Sequence, residues 1–300
     1  MSNIHTINDL NNNNINQNIN LNNNDNNNNE NINNIDNNEN NISFLSQFFP
    51  KQIYNMKQKS FLILCILILI YFFTLISYYI YFKPKSLSWN CELYKFGAIE
   101  INSIFHNFHF HRLLTSILLH YNILHLLSNC ISLFFVGFYI EYLINNTIYY
   151  ILFLLICGIY GNIFSLIFNS STMSVGASGS IIGICGYIIV YFIINYNRID
   201  NNEKKFFYIF FIIISMNLLQ SILNSGSNDI NIFSHLGGLI TGIALSFILI
   251  YKFGVNMYRF DENTLKIIFY VSIALLIILP LCGFIYLSTG KYYDISEYIC

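Results

Sequence analysis

Charge is what this 300-residue chain has least of: Asp, Glu, Lys and Arg together make up 10% of it, and the net charge is −1. Lys and Arg nowhere cluster, which argues against a nucleic-acid partner, because phosphate binding calls for a concentrated basic surface. The seven cysteines, at 65, 91, 130, 157, 185, 282 and 300, form no CxxC pair and no metal-ligand spacing. Most therefore read as small apolar helix residues, and neither a metal nor a cofactor is expected. Cys91 and Cys300 fall outside the apolar runs on one face, which leaves a disulfide between them open. No basic start followed by a short apolar core marks a cleavable signal peptide at Met1, and no Arg-rich transit peptide is visible.

What the chain has in abundance is apolar surface. Hydrophobic residues are 55% of the total, with 28 Phe and 23 Tyr, more than a soluble globular chain carries, so the bilayer is the expected solvent. More than half of residues 1–42 are Asn. That segment has too little to bury to offset the entropy of ordering, and residues 1–58 read as a disordered Asn-rich cytoplasmic tail. The Asn, Ile, Tyr and Phe bias resembles that of a strongly A/T-rich genome such as a malaria parasite's.

Apolar runs of about 18 residues or more, the length that crosses hydrocarbon as a helix, number seven: 61–82, 123–144, 147–168, 177–194, 206–223, 232–251 and 267–286. They are continuous rather than alternating, which selects helices over barrel strands. Nine Lys and Arg fall in the loops on one side and five on the other. This puts the N-terminus in the cytoplasm, the C-terminus outside, and the entry ends of spans two, four and six on the outer face. The first outer loop, 83–122, mixes Trp89, Phe105, Phe108 and Phe110 with polar residues, as either an aromatic belt or a built element would.

Polar residues inside spans are costly, so they mark the candidate site. Span two opens with His125 and Asn129, one turn apart on one face, with His120 just before it. Span four opens with Gly176-Ala177-Ser178-Gly179, and span six with Ser234-His235-Leu236-Gly237-Gly238. All lie within about two turns of the outer end, a shallow depth of roughly 3–10 Å at 1.5 Å per residue. A serine hydroxyl near a neutral imidazole suffices for acyl transfer, with Ser178 attacking and His235 as the base. His125, the Asn129 amide and the Ser178 backbone N–H are the candidate donors for the developing oxyanion. No Asp or Glu shares this level, since Glu141 is at the opposite end of span two, so a dyad is expected rather than a triad. Gly179 and Gly183 in span four, with Gly238 and Gly242 in span six, form two small-residue rows that permit close backbone approach.

With these residues the chain resembles the rhomboid intramembrane proteases. The run His111-Arg112-Leu-Leu-Thr-Ser is followed by His120, His125 and Asn129, then Gly176-Ala177-Ser178-Gly179, then His235-Leu-Gly-Gly238 with Gly242. The set matches the family's motifs in order and in their helices across roughly residues 60–250. The resemblance implies an all-α polytopic fold with a six-helix catalytic core, here 59–252, and one additional transmembrane helix within 253–300. It also implies cleavage of transmembrane proteins by Ser178 and His235, with Gly176, His125, Asn129 and His120 around the oxyanion. The extra helix after the core is similar to secretory-pathway or cell-surface members, and surface adhesins of a malaria-like parasite are the substrates this suggests. Two positions depart from the family: His111 stands where Trp is usual, and Ile182 where many members have a Tyr packing on the histidine base. Three other readings stay open: an inactive relative that binds and escorts membrane clients, a histidine-ligated metal or haem, and a transporter. No carboxylate joins the histidines, and no inverted repeat or intramembrane charge pair supports transport. The polar stretch 224–231 is read as either a movable lid or an ordinary solvated turn.

Overall fold

The computed structural model describes residues 58–168, 173–197, parts of 199–215, 232–253, 261–290 and 300. Six of its helices are long and apolar enough to cross a membrane. The first, α1 (Lys59–Ser77), runs on through a π turn (Tyr78–Phe82) and a short 3-10 turn (Lys83–Lys85). The second is α5 (Ile123–Ser132), a π turn (Leu133–Gly137) and α6 (Phe138–Ile144), and between the two lie the short helices α2 (Trp89–Lys95), α3 (Ile101–Phe105) and α4 (Arg112–Leu118). Then come α7 (Thr147–Phe168), α8 (Ser178–Asn195), α9 (Ile232–Phe253) and α10 (Glu262–Ser288). The expected span at 206–223 and the stretch 224–231 lie mostly or wholly outside the described residues, as does the tail before 58. The remaining six spans fall where the apolar runs predict.

Composition explains the layering. α8 is the most enclosed span and α10 the least, with α10's outward side chains Ile267, Tyr270, Val271 and Ile278 all exposed to what would be lipid. α8 packs against α7, α9 and the second span, and α10 lies on α7 and α9. At the end of the second span away from His125, Glu141 explains itself. Its carboxylate accepts from the Lys59 and Ser60 backbone N–H groups at 2.7 and 2.8 Å and from the Ser60 hydroxyl at 2.8 Å. It thereby supplies acceptors to the open first turn of α1 and complements the positive end of that helix.

The loop between the first two spans is a built cap rather than only an aromatic belt. Arg112 is buried and donates to the carbonyl oxygens of Tyr94 at 2.8 Å and Ala98 at 2.7 Å, its guanidinium lying over the Tyr94 ring. Trp89 Nε1 donates to the Tyr121 carbonyl at 2.6 Å while its ring meets Tyr71 and Tyr78 of the first span. Phe105 and Phe110 pack on Phe284 of α10, whereas Phe108 is exposed. Cys91 and Cys300 are disulfide-bonded, the pairing the sequence leaves open.

α10 contains Pro280, whose missing N–H would leave the carbonyl of Leu276, four residues earlier, without its helical donor. The Tyr160 hydroxyl of α7 donates to that oxygen at 2.5 Å. In hydrocarbon such a freed carbonyl must find a partner within the protein, and here the partner also docks α10 on the core.

Candidate active site

Glycines decide how closely the three central helices approach. A Cβ on Gly238 of α9 would lie 2.9 Å from the Gly179 carbonyl carbon and 3.2 Å from its Cα. A Cβ on Gly242 would meet the Gly183 backbone in the same way, at 2.8 Å from its Cα. α8 and α9 therefore touch backbone to backbone along the two expected rows, at a distance no other residue permits. The contact is wider than those rows. Gly186 meets the backbone of Leu239, Gly242 and Ile243, and Gly161 of α7 faces both Ser234 and Gly179.

This contact sets the functional groups. Gly179 lies against Ser234, its would-be Cβ 2.8 Å from the Ser234 Oγ. The chain neighbours of that touching pair are Ser178, half-buried in the first turn of α8, and His235, buried in α9. The segment leading into Ser178 is held from the cap side. Ile99 and Ser174 exchange two backbone hydrogen bonds, 3.0 and 3.1 Å, the only β pairing among the described residues. Gly176 N–H donates to the Ser116 carbonyl at 2.8 Å. Ser116 is fixed in turn by Asn162 of α7, whose amide donates to the Ser116 hydroxyl and to the Leu113 carbonyl, both at 2.9 Å.

Gly176 adopts φ +131°, which favours glycine, and its open side is filled by the second span. A Cβ there would sit 2.6 Å from His125 Cε1, 2.9 Å from His125 Nε2 and 3.8 Å from Asn129 Nδ2. Asn129 is buried, and its Nδ2 has no acceptor among the described residues. An amide donor held dry beside the loop, next to the N-terminal N–H groups of α8, is what a developing oxyanion needs. The His120 ring meets His125 edge-on at 5.3 Å, from the loop rather than from the helix face that five-residue spacing rules out. Burial, then the neighbouring His125, holds His120 down at about 3, the Leu118 carbonyl pulling the other way, so it is neutral at physiological pH.

All six expected site residues thus converge on the N-terminal end of α8. Ile182 is buried in the main core cluster, one turn below Ser178. Ser116 and Ser234, which stand in the sequence motifs without an assigned part, and Asn162, which stands in none, also take part in the arrangement. Asn162 carries the signal that should have exposed it, a buried amide within an apolar span. Among the described residues no three His, Cys, Asp or Glu side chains gather as a metal site.

Apolar spanning helices around a serine, histidine and asparagine cluster define a multi-pass integral membrane protein with a polar site near one end of its bundle. A Rhomboid domain profile matches residues 107–252, which take in all six site residues. RHOMBOID-like protein 2 of Arabidopsis thaliana is 32% identical over 211 residues, 66% of this chain and 62% of its own length. YdcA of Bacillus subtilis (strain 168), named provisionally as a rhomboid protease, is 32% identical over 145 residues, 47% of this chain and 68% of its own. Inactive RHOMBOID-like protein 8 of Arabidopsis thaliana is 29% identical over 156 residues, 52% of this chain and 43% of its own. The chain belongs to the rhomboid family.

Proposed function

We propose that the chain is an intramembrane serine protease that cuts transmembrane proteins near the outer membrane face with a Ser178–His235 dyad. The observation that carries this reading is the contact of Gly176 with His125 and Asn129, two residues before a serine whose helix touches that of His235. Ser178 Oγ attacks the scissile carbonyl carbon as its proton passes to His235. The Asn129 amide, His125 and the Ser178 backbone N–H take up the charge on the carbonyl oxygen. His235 then returns the proton to the leaving amine, and a water deprotonated by His235 hydrolyses the acyl-enzyme. His120 positions His125 without gaining charge.

On this reading residues 59–252 are the catalytic core and 253–300 an additional helical segment. The substrate's exposed portion is released from the outer side, as for the shedding of surface adhesins. The Lys and Arg distribution and the Cys91–Cys300 disulfide support an outer face in the secretory pathway or at the plasma membrane, with a cytoplasmic N-terminus.

One relative is named inactive, so the alternative is a client-binding rhomboid without catalysis. The test is cleavage of a tagged single-span substrate in cells by the intact chain, Ser178→Ala and His235→Ala at matched expression. The protease reading expects product from the intact chain alone. Co-precipitation of the substrate by all three, with no product from any across several substrates, establishes the client-binding alternative.

A further inference from the structure

Two contacts lead from the segment after α9 to the loop that carries Ser178. Leu287, near the outer end of α10, is buried with Ile99, Ile101 and Ile104 of the cap. Ile99 is the residue that pairs with Ser174. The second contact is covalent: Cys300 is bonded to Cys91 in α2. Two residues on from Cys91, Leu93 is fully buried in a cluster with Ala98 and Leu119, and Met173 and Val175 pack against that cluster. Both routes, from different parts of the cap, end on residues 173–175, immediately before Gly176 and Ser178.

We propose that α10 and the Cys91–Cys300 disulfide form a brace that positions the Ser178 loop, with Cys91, Cys300 and Leu287 as positioning residues. The inference rests on the protease reading and deepens it. Two of the attachments, Tyr160 to Leu276 and Gly283 against Ile163 and Ile167, hold α10 to α7, so the helix is an anchored strut and not a loose appendage. Closing the disulfide passes two electrons and two protons from the two thiols to a donor disulfide, which leaves as two thiols, the chemistry of an oxidising compartment. Opening it lets the cap relax away from residues 173–175 while the α8–α9 glycine contact, which involves no cap residue, stays closed. The loss therefore falls on the chemical step, through misplacement of Ser178 and Gly176, rather than on substrate docking.

The test uses the full chain in proteoliposomes. Maleimide labelling of denatured protein should count five thiols before reduction and seven after, matching five free cysteines of seven. Cys300→Ser, Cys91→Ser and the double variant should each lower kcat about tenfold with KM little changed. Each should also slow fluorophosphonate labelling of Ser178 by the same factor. Phosphine reduction of the intact chain should reproduce this loss, reoxidation should reverse it, and the double variant should ignore both treatments. Leu287→Ala, which leaves the disulfide in place, should lower kcat in the same direction. Seven thiols before reduction, an unchanged kcat after reduction, or a rise in KM alone would each overturn the brace. An intact chain that neither cleaves nor takes the probe refutes the protease reading and the positioning role with it. An active chain indifferent to reduction refutes the brace only.

Discussion

Replacing Gly238 by Ala adds one methyl group inside the α8–α9 contact, at the row nearest Ser178. In an exposed helix that change would gain about 0.5–1 kcal/mol from lower backbone entropy. Here the new Cβ meets the Gly179 carbonyl carbon at 2.9 Å and its Cα at 3.2 Å, against an ordinary carbon–carbon separation of roughly 3.5–4.0 Å. Every obstructing atom belongs to backbone, so no side chain can turn aside. The helices must part by roughly 0.5–1 Å, at a cost of about 1–3 kcal/mol typical of overpacking. Residue 178 lies next to Gly179, and 235 lies three before Gly238, one turn away on α9, so the separation opens the proposed Ser178–His235 pair directly. A displacement near 1 Å costs on the order of 100-fold in rate. Gly158→Ala of α7 is the control, because the new Cβ there meets the Ser180 hydroxyl and the end of the Ile117 side chain, which can turn aside. We expect kcat/KM on a tagged transmembrane reporter to fall about 100-fold for Gly238→Ala. We expect a smaller loss for Gly158→Ala, with both variants keeping a cooperative thermal transition in detergent. Gly238→Ala activity within about threefold of the intact chain would refute the backbone-contact argument.

Gly176→Ala puts an L side chain at φ +131° and drives its Cβ into His125, so cleavage should fall at least about 100-fold, read as kcat/KM on the same reporter; retained activity would show that His125 and Asn129 do not border the reacting atoms. Tyr160→Phe strands the Leu276 carbonyl and should cost about 1 kcal/mol or more, read as a lower thermal midpoint. In a Pro280→Ala background, where the helix regains its own donor, the same change should cost little, and equal costs in the two backgrounds would contradict the assignment. His120 is held from its ordinary 6.5 down to about 3, so between those values the folded chain binds fewer protons there than the unfolded chain. Stability is therefore lost as pH falls through that window, and His120→Gln should flatten the decline of the thermal midpoint between pH 6.5 and about 3.

Six of the expected spans and the clustering of the candidate site residues were legible in the sequence because hydrocarbon makes both conspicuous. A run such as 147–168 has no use in water, and His235 or Asn129 inside such a run has no cheap explanation other than a polar site. The glycine rows at Gly179, Gly183, Gly238 and Gly242 were legible for the same reason. What stayed hidden depends on contacts between segments distant in sequence. The cap looks like an amphipathic loop until Arg112 is seen satisfying the Tyr94 and Ala98 carbonyls, and neither carbonyl leaves a mark in the sequence. Asn162 and Ser116 are 46 residues apart, and the reason for both is the carbonyl that receives Gly176 N–H. Cys91 and Cys300 lie 209 residues apart, so only topology offered a hint of their pairing. Tyr160 reads as one more aromatic in a span, because its function is set by the proline of another helix.

The most direct test of the central claim is peptide mapping of the covalent adduct formed when the intact chain is treated with a fluorophosphonate in proteoliposomes. The account predicts a single modified peptide with the phosphonyl group on Ser178, blocked cleavage in proportion to labelling, and no adduct in His235→Ala. Full cleavage by a chain whose Ser178 stays unmodified, or an adduct that forms equally well without His235, would contradict it.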